Sequence, residues 1–139
     1  MPDYTQLQKD YSAYRMSRAE EDLSAARLML ENGQFRAANN RAYYSIFHAI
    51  RALLVFNNVD SSKHSGVIAE FRRLYIKDGL LPVELSKMVG EAFTIRNASD
   101  YDDMFIASKD EALEQIEHAE YVCKTIKQFI SDMLAADEV

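Results

Sequence analysis

Within eight residues, Arg96-Asn97-Ala98-Ser99-Asp100-Tyr101-Asp102-Asp103, the sequence sets one cation, one phenol and three carboxylic acids. A guanidinium stays charged at any ordinary pH and presents a planar fork of donors that matches the oxygens of a phosphate. Arg96 facing a phosphate, with Asp100 and Tyr101 beside it, is one reading of the segment. The other is structural: Arg96 pairs with Asp100 or caps carbonyls at a helix end, and Tyr101 pins the loop that follows. A second feature is the stripe Arg41, Tyr44, His48 and Arg51, spaced by three and four residues and so on one face of a helix. It suits a groove for a phosphate backbone, a seam between subunits, or an ordinary solvated face. The third is His64, in a turn flanked by Ser, Lys and Gly. An imidazole there can act as a general acid or base near neutral pH, or serve to cap the helix that follows.

Other chemistries lack their residues. A carboxylate-bridged di-iron bundle needs paired Glu-x-x-His sets, and His118 has Gln115 three residues before it. One cysteine and three scattered histidines offer no zinc spacing. No Gly-rich phosphate loop and no nucleophile elbow occur. No metal or other cofactor is expected. Cys123 lies on an apolar helical ladder and reads as a small core residue.

The elements that must position these side chains are all helical by pattern. Among 139 residues only four are Gly and two Pro, so the elements are few and long. The ladder Met16, Ala19, Leu23, Ala26 and Leu30 marks a helix over about 5–31, ended by Asn32-Gly33. A second covers about 34–57 and carries two adjacent ladders. Phe35, Ala38, Ala42, Ile46, Ala49 and Leu53 form one; Tyr43, Phe47, Ile50 and Leu54 form the other. So wide an apolar face suits a central helix buried on most sides. The polar connection Asp60-Ser61-Ser62-Lys63-His64 leads to a short helix reaching about Asp78, with Val67, Phe71, Leu74 and Tyr75 inward. Pro82 opens a fourth helix that uses Leu85, Met88, Ala92 and Ile95 and ends near 96–99. Ser108-Lys109-Asp110-Glu111 is a capping box for the fifth. Its ladder is Leu113 (or Ala112), Ile116, Ala119, Cys123, Ile126, Ile130 and Met133. The expectation is an all-α, up-and-down bundle of about five helices, three long and two shorter, forming one domain over 1–139.

At 48% hydrophobic and 27% charged, the chain has the composition of a globular domain, and no membrane-spanning run, signal peptide or intrachain disulfide is expected. A cytoplasmic location follows as an expectation. A net charge of −6 argues against a general polyanion binder, but the charge is uneven. Residues 34–78 hold seven Lys/Arg against three Asp/Glu, and residues 97–139 hold three against eleven. The basic block could face a phosphate or the acidic block of another subunit. The wide apolar face of the second helix and the heptad-like last helix also favour a two-fold dimer.

The run Asn39-Asn40-Arg41-Ala42-Tyr43-Tyr44-Ser45-Ile46-Phe47-His48-Ala49-Ile50-Arg51-Ala52-Leu53-Leu54 resembles the second helix of HEPN domains. Lys63-His64-Ser65-Gly66-Val67-Ile68 and Arg96-Asn97-Ala98-Ser99-Asp100-Tyr101 are similar to later family segments, in the same order. The resemblance covers residues of about 10–132, the core of the domain, and implies a helical bundle, a two-fold homodimer, and a minimal nucleotidyltransferase as partner, in some cases as a toxin–antitoxin pair. It further implies that active members are metal-independent ribonucleases with an Arg-x4–6-His motif at the dimer interface, Arg on the phosphate and His moving protons. Here Arg96 matches the arginine, but Tyr101 stands where the histidine is expected, and Asp103 where some members carry a nucleotidyl-accepting tyrosine. A phenol titrates near 10 and an imidazole near 6.5, so Tyr101 is a poor base at neutral pH. The expectation is a nucleotide- or RNA-facing binding module in which Arg96, Asp100, Tyr101, Arg41, Tyr44 and Arg51 form the nucleotide or phosphate site. The alternatives are a ribonuclease toxin in which His48 or His64 replaces the motif histidine, and a purely structural dimer.

Overall fold

The computed structural model describes residues 3–59, 61 and 63–137, so Asp60 and Ser62 of the polar connection lie outside the described residues. The chain forms α1 (Gln6–Glu31), α2 (Phe35–Leu54), α3 (His64–Phe71), α4 (Val83–Tyr101) and α5 (Lys109–Asp137). A 3-10 turn, Val55–Asn57, extends α2, and a π-helical turn, Arg72–Ile76, extends α3. Among the described residues there is no strand, and no helix is long and apolar enough to cross a membrane.

The helix boundaries have local causes. At Thr5 a capping box opens α1: the Thr5 hydroxyl accepts from the Gln8 amide at 3.1 Å, and Gln8 Oε1 accepts from the Thr5 amide at 2.9 Å. Thr5→Ala leaves a first-turn N–H without its acceptor and is expected to lower stability by about 1 kcal/mol, read as a shift of the urea midpoint. Gly33 adopts φ +73° past the end of α1, a conformation other residues enter only with strain. At α5 half of the expected capping box forms. The Ser108 hydroxyl accepts from the Glu111 amide at 3.1 Å, whereas Glu111 Oε1 is buried without a hydrogen bond.

α2 is the axis of the bundle and packs against α1, α4 and α5. Its two ladders merge into a face on which Ala38, Ala42, Tyr43, Ile46, Ala49, Ile50, Leu53 and Leu54 are all buried. The alanines let neighbouring helices approach closely, and the large aliphatic side chains fill the layers between. α1 contributes Met16, Ala19, Leu23 and Ala26, and α5 contributes Ala112, Ile116, Ala119, Val122, Cys123 and Ile126. Ala112, not the 41%-exposed Leu113, is the inward residue at the start of α5. Burial pushes the Cys123 thiol up to about 12, as befits a core side chain.

α4 runs to Tyr101, beyond the end near 96–99 that its apolar pattern suggests. The reason is polar. Arg36 of α2 donates to the carbonyls of Ser99, at 2.7 Å, and of Asp102 and Phe105, placing a cation on the free carbonyls at the C-terminus of α4. Buried Asn39 donates to the Ser99 hydroxyl at 3.1 Å. Hydrophobic periodicity cannot register a last turn that is held by an arginine and an asparagine.

Candidate functional site

Because α4 continues, Arg96, Asp100 and Tyr101 stand on its last turns and not on a loop. Arg96 and Asp100 are one turn apart, with Nε 3.0 Å from Oδ2 as an ion contact without hydrogen-bond alignment. Nη2 of Arg96 donates to the Tyr44 hydroxyl at 2.9 Å, and Nη1 donates to Asn97 Oδ1 at 3.2 Å. The guanidinium carbon lies 5.5, 5.2 and 5.5 Å from the ring centres of Tyr43, Tyr44 and Tyr101. The side chain of Arg96 is 13% exposed, while Tyr101, at 73%, is open to solvent. Arg96 pairs with Asp100, and the carbonyl capping considered for it falls to Arg36 instead.

The α2 stripe meets this cluster at Tyr44. Arg41 lies 4.9 Å from the centre of the Tyr44 ring, so both Arg41 and Arg96 contact that ring. Arg41 pairs with Asp22 of α1 at 3.0 Å and donates to Asn40 Oδ1 at 3.0 and 2.6 Å. The Asn40 amide in turn donates to Asp100 at 2.8 Å. One network therefore runs Asp22, Arg41, Asn40, Asp100, Arg96, Tyr44 across three helices. His48 closes its far end, with Nε2 3.4 Å from the second Asp22 oxygen. Arg51 lies farther along α2, 6.0 Å from the centre of the Phe47 ring.

Both histidines border the Tyr44 ring that Arg96 contacts, His48 at 6.1 Å and His64 at 5.7 Å between centres, and His64 also meets the Tyr43 ring. His64 is the first residue of α3, and the N-cap is Lys63, so the capping role considered for His64 is not the one it takes. Its ring stacks on Phe47 at 4.1 Å and meets the edge of Tyr44 at 5.7 Å. Its Nδ1 is 2.7 Å from the Tyr43 hydroxyl. The partners Tyr43, Asn40, Asp22 and Arg36 are not evident from the sequence. Tyr43 reads as a ladder residue, since periodicity reports its ring and not its hydroxyl. Asp22 had a usable signal: it falls three residues after Ala19 and four before Ala26, an acid on an apolar face.

Burial is the largest cause lowering both imidazoles below their usual range. For His64 the charges of Arg96 and Arg51 add to it. For His48 the Asp22 carboxylate opposes it, and Arg18, Arg51 and Arg41 reinforce it. Each histidine is thus neutral in the folded protein at a pH where the unfolded chain begins to bind a proton. Protons then favour the unfolded state, and stability is lost as pH falls below about 6.5. Urea denaturation at pH 7.5 and pH 5.5 is expected to show the lower midpoint at pH 5.5, with the gap narrowed in His48→Gln.

Among the described residues Glu91, Glu114 and His118 bring possible ligand atoms within 4.8 Å of one another between α4 and α5. His118 faces Glu114 at 3.8 Å, and Glu91 accepts from Gln115 at 3.0 Å, contacts that account for the grouping as a polar seam. A cleft of about 370 Å³ lined by Leu7, Tyr11, Val55 and Val59 is separate from the arginine cluster.

Comparison with known proteins gives a consistent result. A family model described as HEPN domain matches residues 12–129. A UPF0332 protein of Thermotoga maritima is 35% identical over 123 residues, covering 88% of this chain and 93% of the relative. A Methanocaldococcus jannaschii protein named "Putative toxin MJ0605" is 34% identical over 116 residues, covering 84% and 86%. Among solved structures, TT1696 from Thermus thermophilus superposes with a TM-score of 0.72 at 18% identity, over 85% of this chain and 97% of that one. ST0689, described as an archaeal HEPN homologue, gives 0.66 at 20% identity with the same coverage. At these identities the two structures speak for the fold.

Proposed function

The chain belongs to the HEPN domain family, and from that premise we propose that it is a binding module for the phosphates of RNA or of a nucleotide, centred on Arg96. The observation that carries this reading is the setting of Arg96: a guanidinium on a helix end, among three tyrosine rings, with its carboxylate partner one turn away. A phosphate oxygen can take the position that Asp100 holds, and the exposed Tyr101 ring offers a face on which a base can stack. Arg41 and Arg51 would extend the contact along α2.

The module works as a two-fold homodimer beside a minimal nucleotidyltransferase. Two relatives carry the name "Putative toxin", which supports a toxin–antitoxin setting for the pair. The test is a titration of fluorescent single-stranded RNA and of a nucleoside monophosphate with the full chain at several salt concentrations. Binding that weakens steadily with the logarithm of salt is expected. A monomer indifferent to both ligands, and to a co-expressed nucleotidyltransferase, would sink the proposal.

One placement favours a second reading, a metal-independent ribonuclease. His64 contacts both the Tyr43 and Tyr44 rings that Arg96 contacts, whereas His48 meets the Tyr44 ring and faces Asp22. RNA cleavage in EDTA that is lost in both His64→Ala and Arg96→Ala would promote it.

A further inference from the structure

We propose that Tyr43 is a positioning residue whose hydroxyl donates to Nδ1 of His64 and holds the imidazole as the tautomer protonated on Nε2. His64 then presents a hydrogen-bond donor, not a base, to a phosphate oxygen at the Arg96 cluster. The ligand in this statement rests on the phosphate-binding reading; the tautomer does not.

The argument is one of proton accounting. Tyr43 is 1% exposed, and the His64 nitrogen at 2.7 Å is its one hydrogen-bond partner among the described residues. Were Nδ1 to carry the proton, it would donate to the phenol oxygen and leave the Tyr43 O–H buried without an acceptor. Among the described residues no other acceptor is bonded to it: Arg96 is a donor only, Phe47 and Phe93 are hydrocarbon, and the Tyr44 hydroxyl, which accepts from Arg96, makes no hydrogen bond with Tyr43. Donation from Tyr43 to Nδ1 satisfies both groups at once. Burial raises the Tyr43 phenol well above its usual range, so the proton it donates stays on the oxygen.

The geometry suits such a bond. The Tyr43 and His64 rings are within 17° of parallel with centres 5.6 Å apart, and the hydroxyl reaches Nδ1 at 2.7 Å. Phe47, stacked on the imidazole at 4.1 Å and 15°, restrains the ring from turning over. With Nδ1 taken, Nε2 is the nitrogen left for a ligand, and in the neutral ring it carries the hydrogen. A tautomer set by the partner of the other nitrogen is the usual way a protein assigns an imidazole its role.

Long-range proton–nitrogen spectra of the uniformly labelled full chain, at a pH where His64 is neutral, test this, with the His64 signals identified by their absence in His64→Gln. The expected wild-type result is a single tautomer, with Nε2 protonated and Nδ1 an unprotonated, hydrogen-bonded acceptor. A slowly exchanging Tyr43 hydroxyl proton should correlate with Nδ1. In Tyr43→Phe the two nitrogen shifts should move toward each other as the tautomers mix. A protonated Nδ1 in the wild type would overturn the proposal, as would nitrogen shifts unchanged by Tyr43→Phe. The wild-type spectrum decides even if that variant fails to fold. In RNA titrations His64→Ala should lose about three- to tenfold in affinity, and His64→Gln, which keeps an N–H donor, less. The expected tautomer without any RNA binding would reject the functional reading alone; binding with the opposite tautomer would reject this one alone.

Discussion

Arg96→Ala is expected to lower the affinity for a short single-stranded RNA by about ten- to a hundredfold. A hydrogen bond to a charged group contributes about 1.5–3 kcal/mol, and every 1.4 kcal/mol is a factor of ten. Arg96 has both the charge and the fork for such contacts, and its 13%-exposed side chain sits where water competes less than on an open surface. Arg96→Lys keeps the charge and loses the planar fork, so its affinity should fall between those of wild type and Ala. The structural side of the change is smaller. Asp100 loses its cation but keeps Asn40 and remains 24% exposed. Anisotropy titrations at one low salt concentration, with thermal unfolding in parallel, separate the two effects. Affinity within twofold of wild type would remove Arg96 from the binding face, and a loss of stability alone would favour the structural dimer.

The largest effect on stability is expected from the axis of the bundle. Leu53 is fully buried on α2, the helix that packs against α1, α4 and α5. Leu53→Ala removes three carbons from a site that helices on several sides hold open. It should cost about 2–5 kcal/mol and lower Tm by roughly 10 °C. Leu113→Ala is the control. The same deletion at a 41%-exposed position should stay within about 0.5 kcal/mol. Urea and thermal unfolding of the two variants decide the matter, and similar losses in both would contradict α2 as the centre of the core.

The bundle was legible in the sequence because each helix buries a stripe, and burial leaves a period. The double ladder of α2 and Gly33 past α1 both appear where the pattern puts them. The candidate site was legible only in part. Arg96, Asp100, Arg41, Tyr44 and His64 stand out by residue type, and the fold does gather them. What joins them is a set of polar contacts between helices far apart in sequence: Arg36 to Ser99, Asn40 to Asp100, Tyr43 to His64. No period encodes these. They depend on which faces of α1, α2 and α4 meet, and that is settled by packing. The end of α4 shows the same limit, since its final turn rests on one arginine and one asparagine and not on an apolar stripe.

Each guanidinium of the Arg41–Arg96 network already has its own anion, Asp22 for one and Asp100 for the other. On the proposed phosphate-binding reading, a phosphate arriving at Arg96 would therefore trade places with a carboxylate tethered one helical turn away. Its gain is the difference between two favourable contacts, and when it leaves, its place is refilled without waiting for an ion from solution. Such a site exchanges its ligand quickly and gives a single phosphate a short residence time. Long occupancy would come from several exchanges along one strand, or from a second copy of the chain holding the same strand, which makes the number of linked contacts, more than the strength of any one, the quantity this surface can regulate.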